Sequence, residues 1–329
     1  MRAYVRKLTI AKLNRCGTRL NVHTVSVPDQ AISIMIKYER RAAAKPRYYM
    51  NNQPSFRWKS ESAPKLNVHI KNGVVWLSYP SLDREEWVIN AFSTRLGGVS
   101  TGYQATMNLS FKQDCSPDAV RENFSRFADA VGFSTDDLIL SDQTHTTNVL
   151  RVGRRDRGKG FNTAMDWHDV DGFITNEPGC ALATFYADCV PLYFVDPVHR
   201  AIGLSHSGWK GTAKGMGKIT AMAMAREFGT DPEDLICAIG PSICQDSYEV
   251  GEDVAAFFDK AFLKNSDTVP GKYYLDLWEA NKAVLIEAGV REENITLPNL
   301  CTACNSDKLF SHRASKGKRG NLGAFLMIR

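Results

Sequence analysis

Four short β-like runs in the middle of the chain constrain its fold more than any other feature. They occupy residues 170–175, 181–186, 191–195 and 201–205, and Gly or Pro residues punctuate the connections between them. Residues 211–228 follow with the spacing of apolar positions that is typical of a helix. The centre of the chain therefore predicts a cluster of strands followed by a helix.

Flanking segments predict further strands and helices around this centre. Ser116 followed by Pro117 indicates a helix start, and apolar residues then recur on one helical face. These residues are Val120, Phe124, Phe127, Ala128 and Val131. The other β-like segments are residues 74–77, 88–92, 138–140, 236–239 and 294–298, and residues 275–288 form another amphipathic pattern. We expect ordered structure to begin at Val74.

Charge divides the chain into a basic beginning and a mildly acidic remainder. The first 60 residues carry 13 Lys and Arg against two acidic residues, whereas the remainder carries 28 basic and 34 acidic residues. We interpret residues 1–70 as a basic N-terminal extension outside the fold and residues 71–329 as one domain. A transit peptide and a natural start at Met50 are alternatives for the extension. An acidic body gives no electrostatic reason to expect a nucleic acid as partner.

Apolar runs and cysteines indicate the compartment. No stretch of about 18 apolar residues occurs, so we expect no membrane span. The eight cysteines have no framework spacing and no secretory signal ahead of them, which favours reduced thiols and a cytoplasmic protein. Cys301 and Cys304 form one Cys-X-X-Cys, and without a second pair at finger spacing we interpret them as two ordinary thiols.

A hairpin in the central cluster predicts two metal ligands. Residues 191–195 and 201–205 are joined by a connection of hairpin-loop length. If Val195 pairs with Arg200, then Cys189 lies opposite His206, and their Cβ atoms are about 5 Å apart. At that separation a thiolate and an imidazole can bind the same ion.

His145 is the third candidate ligand, because it lies in a polar segment directly after the β-like residues 138–140. Three protein ligands with one open position are typical of catalytic zinc, whereas structural zinc sites usually close with four ligands. The residues alone leave an alternative open. A single cysteine is more often a small buried hydrophobe, and a single histidine more often makes an ordinary hydrogen bond.

A set of motifs along the chain resembles a known family. The motifs are Phe92-Ser93-Thr94-Arg95-Leu96-Gly97-Gly98-Val99-Ser100, Gln143-Thr144-His145, Ala187-Asp188-Cys189-Val190-Pro191, His206-Ser207-Gly208-Trp209-Lys210-Gly211, Ile239-Gly240-Pro241-Ser242, Leu300-Cys301-Thr302 and Phe310-Ser311-His312-Arg313. With them, residues 74–329 resemble the laccase-domain or polyphenol oxidase family, whose members are regarded as purine nucleoside phosphorylases with adenosine deaminase activity. One departure is Asp246 and Ser247, which stand where the family often has consecutive cysteines and argue against a soft-metal or redox role there.

The resemblance implies a fold, a cofactor and a site. It implies an α+β fold built as a four-layer α/β/β/α sandwich, and a zinc ion held by His145, Cys189 and His206. It also implies that Arg95 binds phosphate and that Asp188 transfers a proton. The residues that we further assign to substrate binding are Gln143, Lys210, His312 and Arg313.

The function that we expect from the resemblance is phosphorolysis of adenosine, inosine, guanosine and methylthioadenosine, with adenosine deamination as a companion reaction. The expected partners are thus purine nucleosides and phosphate. One alternative is an amidase or deamidase with Cys189 as nucleophile and His206 as base. Another is a copper-binding oxidoreductase, although the seven histidines contain no His-X-His pair. A non-catalytic interaction module is the third alternative.

Overall fold

The computed structural model of the protein describes residues 54–112 and 116–329. Its strands are β1 (Asn67–Lys71), β2 (Val74–Ser78), β3 (Val88–Ser93), β4 (Leu138–Leu140), β5 (Val149–Arg151), β6 (Gly172–Thr175), β7 (Ala181–Tyr186), β8 (Val190–Asp196), β9 (Ala201–Ser207), β10 (Ile236–Ile239), β11 (Glu249–Gly251), β12 (Leu263–Asn265), β13 (Lys272–Leu275), β14 (Ile295–Thr296) and β15 (Leu322–Ile328). Its α-helices are α1 (Pro80–Asp83), α2 (Pro117–Val131), α3 (Trp209–Ala213), α4 (Met216–Phe228), α5 (Glu252–Ala255), α6 (Leu277–Glu287) and α7 (His312–Ser315). None of these helices is long and apolar enough to cross a bilayer.

Two six-stranded sheets form the centre of the protein. One sheet has the strand order β1-β2-β3-β15-β7-β4, and the other has the order β14-β10-β8-β9-β6-β5. Most neighbouring strands are antiparallel, but β4 runs parallel to β7, β5 to β6 and β14 to β10. A third, smaller sheet has the strand order β11-β13-β12. Both large sheets therefore combine segments that are far apart in the sequence.

Alternating side chains in the central strands explain why the sheets stack in layers. In β8, Tyr193 and Val195 belong to the apolar cluster between the two sheets, whereas Leu192 and Phe194 pack in a second cluster with α4 and α6. Phe325 of β15 belongs to a third cluster, which contains the apolar face of α2. A strand that is buried on both faces needs apolar residues at successive positions. The protein is thus the four-layer α/β/β/α sandwich that the resemblance implied.

Two buried tyrosines connect the sheets by hydrogen bonds. Tyr193 in β8 donates from its hydroxyl to the carbonyl of Ala91 in β3 over 3.1 Å. Tyr79, which follows β2, donates in the opposite direction to the carbonyl of Ile239 in β10 over 2.5 Å. Burial raises the pKa of both hydroxyls well above the usual value, because the charged phenolate would lose its hydration. Both groups therefore remain donors that fix one sheet against the other.

The fold begins earlier than the sequence predicts. β1 pairs with β2 along its whole length, and Phe56 and Leu66 are buried in the cluster between the sheets. Residues 54–70 therefore lie within the fold, which corrects the boundary that we predicted at residue 70. The edge strand β1 is mostly exposed and polar, so it has little apolar periodicity to reveal it. Residues 1–53 of the predicted extension lie outside the described residues.

The helices follow the local sequence signals closely. The Ser116 hydroxyl accepts a hydrogen bond from the backbone N–H of Ala119 over 3.3 Å, which caps α2 as predicted. The helix predicted over residues 211–228 is instead divided into α3 and α4. Gly215 separates the two with a φ of 76°, a left-handed conformation that interrupts a helix and that glycine adopts without strain. A pattern of apolar residues does not reveal such an interruption.

We expect Tyr193→Phe to lower the free energy of unfolding by about 1 kcal/mol, because the substitution removes one buried hydrogen bond and keeps the ring. Urea unfolding at equilibrium measures this change. Tyr103→Phe is the matched control, since Tyr103 is 42% exposed. Equal stability of the two variants would show that the Tyr193 hydroxyl does not hold the sheets together.

Candidate metal centre

The three predicted metal ligands meet at the edge where the chain passes from one sheet to the other. β7 of the first sheet ends at Tyr186 and β8 of the second begins at Val190, so Cys189 lies in the crossing segment. His145 lies in the loop after β4, with a φ of 67°, and His206 lies near the end of β9. Strand ends from both sheets thus supply the ligands.

The donor atoms of these three residues fit one metal ion. The nearest ligand atoms of His145, Cys189 and His206 all lie within 4.8 Å of one another. The distance between His145 Nε2 and Cys189 Sγ is 3.8 Å, and the two imidazole rings are nearly perpendicular, with centroids 4.9 Å apart. Ligands of a tetrahedral ion with bonds of about 2.0–2.3 Å lie roughly 3.3–3.8 Å apart. Small side-chain adjustments are enough to reach that geometry.

The hairpin that carries two of the ligands has a different register from the predicted one. The structure pairs Pro191, rather than Cys189, with His206. The turn begins one residue later than predicted because Asp196 is fully buried and its carboxylate accepts hydrogen bonds from two backbone N–H groups of the loop. The predicted register is therefore wrong by two residues. A shift of two preserves the face of the strand, so Cys189 still lies on the same side as His206.

Asp171 organises the centre and was not predicted from the sequence. Its carboxylate accepts a hydrogen bond from His206 Nδ1 over 2.7 Å and others from the backbone N–H groups of Thr144, His145 and Thr146. Burial opposes its ionisation, but the interactions with His206 and the loop lower the pKa of Asp171 to about 2. The ionised carboxylate leaves His206 Nε2 available for a metal, an arrangement common in metalloproteins. In the sequence, the one sign of this role is that Asp171 is an acidic residue within the otherwise uncharged β-like run 170–175.

Charge interactions favour the thiolate form of Cys189. Burial by itself would raise the pKa of the thiol, but the nearby His206 and the hydrogen bond with His145 outweigh it and lower the pKa to about 6. Burial would likewise lower the pKa of His206, but Cys189 and Asp171 raise it to about 9. Because the thiolate is the metal-binding form of cysteine, the sulfur is prepared for a metal at neutral pH.

Gly208 makes the approach of the ligands possible. A Cβ atom at this position would lie 2.9 Å from His145 Cδ2 and 3.1 Å from Cys189 Sγ. The backbone of Gly208 has a φ of −72°, so space rather than conformation requires the glycine. Any side chain at this position would displace two of the three ligands.

Asp188 is held rigidly beside the metal ligands. It has a φ of 88°, which is unfavourable for a residue with a side chain. Its Oδ1 accepts a hydrogen bond from the Thr302 hydroxyl over 2.6 Å, and its Oδ2 accepts one from the backbone N–H of Arg313 over 2.7 Å. Its carbonyl accepts another from the N–H of Ile243. The first two bonds hold the carboxylate in one orientation, and the third fixes the backbone that carries it.

A cavity of about 250 Å³ opens beside the ligands. Its lining residues are Thr144, His145, Asp188, Cys189, Trp209, Lys210, Ile243, Tyr248 and Leu277. The lining combines two metal ligands with a carboxylate, an ammonium group and two aromatic rings. Ligand pockets run from roughly 300 Å³ upward, so this slightly smaller cavity is suited to part of a small molecule. Trp209 and Tyr248 are lining residues that we did not single out from the sequence.

Arg313 contributes to the wall of the cavity rather than to its lining. Its guanidinium lies over the ring of Tyr248, 5.2 Å from the centroid, and donates hydrogen bonds to the carbonyls of Ser247 and Glu249. Its backbone N–H binds Asp188, as described above. His312 is exposed at the start of α7 and is not among the lining residues. The structure thus brings Arg313, but not His312, to this wall.

Arg95 and Gln143 are not brought to the cavity. Arg95 donates from Nε to the carbonyl of Ala105 and from Nη1 to that of Ser306, and its guanidinium lies over the ring of Phe310. The Gln143 side chain binds both backbone groups of Phe185, as a neighbouring strand would. These hydrogen bonds join Arg95 to two loops and Gln143 to β7, and the roles of both residues in phosphate and substrate binding stay predictions.

Comparisons with known proteins agree with this architecture. Residues 89–329 match the family model described as multi-copper polyphenol oxidoreductase laccase. A Bacillus subtilis relative named purine nucleoside phosphorylase YlmD is 36% identical over 249 residues, which cover 74% of this chain and 89% of the relative. A relative from an unknown prokaryotic organism, named adenosine deaminase RL5, is 34% identical over 68% of this chain and 88% of its own length. The crystal structure of YlmD from Geobacillus stearothermophilus has a TM-score of 0.73 and 31% identity, covering 81% of this chain and 100% of that one.

We expect Asp171→Asn to weaken metal binding by about 10- to 100-fold, because the amide no longer orients His206 through a charged hydrogen bond. Titration of the metal-free protein with Co²⁺ measures the dissociation constant. Asp169→Asn is the matched control: Asp169 is an exposed carboxylate that binds the same loop through the Thr144 hydroxyl. If both variants bound Co²⁺ as tightly as the unaltered protein, Asp171 would have no role in orienting a ligand.

Proposed function

This chain belongs to the multi-copper polyphenol oxidoreductase laccase family, and on that premise we propose that it is a zinc-dependent purine nucleoside phosphorylase. Its proposed substrates are adenosine, inosine, guanosine and methylthioadenosine, with phosphate as the second substrate. We further propose that it deaminates adenosine. The relatives named purine nucleoside phosphorylase and adenosine deaminase support the two reactions.

One observation carries this proposal: the cluster of candidate metal ligands borders the cavity that Asp188 lines. His145, Asp188 and Cys189 line it together, and His206 completes the ligand set from the strand behind. A metal held by His145, Cys189 and His206 would have three protein ligands and would retain a fourth position for water or substrate. An open position of this kind is typical of catalytic rather than structural zinc.

The donor set also suits the proposed metal. One thiolate and two imidazoles are ligands that zinc accepts in tetrahedral geometry, and Asp171 and Gly208 provide the orientation and space that such a site needs. When bound, zinc would supply a Lewis acid at the open position. Copper also accepts these ligands, so copper binding at the same site is the chemical alternative.

We assign the remaining cavity residues to binding and proton transfer. The rings of Trp209 and Tyr248 offer flat apolar faces for a purine base, because nucleobases stack readily on aromatic side chains. The exposed ammonium group of Lys210 is suited to phosphate. The Asp188 oxygens retain lone pairs beyond the two hydrogen bonds that they accept, so we assign Asp188 to proton transfer, including protonation of the departing base.

The lowered pKa of Cys189 favours one second candidate, a cysteine-nucleophile amidase or deamidase. In that case His206 would act as the base, and no metal would be required. The two candidates differ in what Cys189 does, because a ligand thiolate is protected from alkylation by the bound metal. Alkylation of Cys189 without loss of metal would support the nucleophile.

We expect Cys189→Ala to lose zinc and both activities while remaining folded, because the residue supplies the thiolate ligand at the edge of the core. Metal analysis, circular dichroism and product identification after incubation with adenosine, with and without phosphate, test this expectation. Cys237→Ala is the matched control, since Cys237 is a buried free thiol in β10. Full activity of the Cys189 variant would overturn the assignment.

Lys210→Ala separates the two proposed reactions. Loss of a charged contact to phosphate costs about 1.5–3 kcal/mol, so we expect kcat/KM for phosphate to fall about ten-fold or more. Deamination of adenosine should remain unchanged because it uses no phosphate. Lys214→Ala provides a control, as Lys214 is an exposed lysine at the end of α3. An equal decrease of both reactions in Lys210→Ala would contradict the phosphate role.

A further inference from the structure

A second group of thiols lies next to the cavity wall. Cys244 follows β10, and the chain brings it to Cys301 and Cys304, which are 57 and 60 residues further along. The three sulfur atoms all lie within 4.8 Å of one another, and Cys244 Sγ lies 3.9 Å from Cys304 Sγ. The structure thus adds a third thiol to the Cys-X-X-Cys pair and brings all three to Ser247, so we revise both the interpretation of ordinary thiols and that of no soft-metal role near Ser247.

We propose that Cys244, Cys301 and Cys304 bind a second zinc ion, with the Ser247 hydroxyl at the fourth corner. Ser247 Oγ lies 3.6 Å from Cys244 Sγ, 3.6 Å from Cys304 Sγ and 3.9 Å from Cys301 Sγ. In a tetrahedral zinc site, with bonds of about 2.3 Å to sulfur and 2.0 Å to oxygen, sulfur atoms lie about 3.8 Å apart and sulfur lies about 3.5 Å from oxygen. The three oxygen–sulfur distances and the Cys244–Cys304 distance are close to these values, and the other sulfur pairs lie within 4.8 Å.

Backbone hydrogen bonds prepare this thiol cluster for a metal. Cys301 Sγ accepts hydrogen bonds from the backbone N–H groups of Cys244 and Cys304, over 3.3 and 3.4 Å. Such bonds orient a sulfur ligand and stabilise its charge, as the outer contacts of metal sites generally do. Cys301 and Cys244 are buried, and Cys304 is half-buried, which leaves a path for an ion to enter.

Charges around the cluster also suit a metal. Three thiolates and one zinc ion carry a net charge of −1, and two basic residues of the N-terminal segment lie beside them. Arg57 donates from Nη1 to the carbonyl of Cys304 over 2.9 Å. Lys59 forms an ion pair with Asp246, between Cys244 and Ser247 in the chain. The segment that precedes β1 thus brings positive charge to the cluster.

The proposed ion would act on the cavity through its neighbours in the chain. Ile243 and Tyr248, on either side of the Cys244 turn, line the cavity. Thr302, next to Cys301, donates the hydrogen bond to Asp188 Oδ1. An ion that joins these two turns would hold the wall of the cavity, including Asp188, in place. It would have a positioning role, because none of the cluster cysteines lines the cavity.

Metal counting on single and double variants tests this second site. Protein purified anaerobically with zinc should contain two zinc ions per chain. We expect one ion in Cys304→Ala, one in Cys189→Ala and none in the double variant, whereas Cys237→Ala should retain both. A single ion in the unaltered protein that is lost in Cys189→Ala, or two ions in Cys304→Ala, would refute the second site. Retention of two ions in Cys189→Ala would instead refute the first.

Cobalt provides a measurement that does not depend on folding of the Cys304 variant. Cys189→Ala loaded with Co²⁺ should show the intense near-ultraviolet charge-transfer bands of sulfur bound to cobalt, because three thiolates remain as ligands. Absence of these bands in the reduced, folded protein would exclude the site. A disulfide among the three cysteines in freshly purified protein, detected by mass spectrometry, would exclude it as well, since a disulfide sulfur is not a thiolate ligand.

Discussion

The carboxylate of Asp171 is the interaction on which the candidate metal centre depends. It binds His206 through Nδ1 and the backbone of the loop that carries His145, so one buried charge sets the positions of two ligands. An isolated buried carboxylate would be costly, and these hydrogen bonds offset that cost. The same bonds determine which nitrogen of His206 is left for a metal. Groups of the protein itself therefore orient two of the three candidate ligands.

The stacking of two sheets explains why the site lies where it does. The chain leaves the first sheet at the end of β7 and enters the second at β8, and the crossing residues include Asp188 and Cys189. The chain makes this short crossing with one residue in a left-handed conformation, Asp188, which has a φ of 88°. The ends of β4 and β9 reach the same edge and supply the histidines. Residues that are far apart in the sequence thus meet because two layers share an edge.

Local patterns predicted most of the fold and the cluster of candidate ligands, but not the contacts between distant segments. The cap at Ser116 and the strands at residues 138–140 and 181–186 were predicted because each depends on its own neighbourhood. The backbone partners of Arg95 and Gln143 were not predicted, because no local pattern shows them. Asp171 was missed for the same reason, since a buried acid is recognised only by its partners.

The chemistry of the two thiol sites differs in a way that follows from their surroundings. Cys189 shares its site with two imidazoles and faces a cavity, so an ion held there would keep an open position. Cys244, Cys301 and Cys304 are enclosed by their own turns, and a hydroxyl stands at the remaining corner. Open sites permit reaction and closed sites add rigidity. Thr302 follows Cys301 in the chain and donates a hydrogen bond to Asp188. An ion bound by the three cysteines would therefore also restrict the motion of the Asp188 carboxylate.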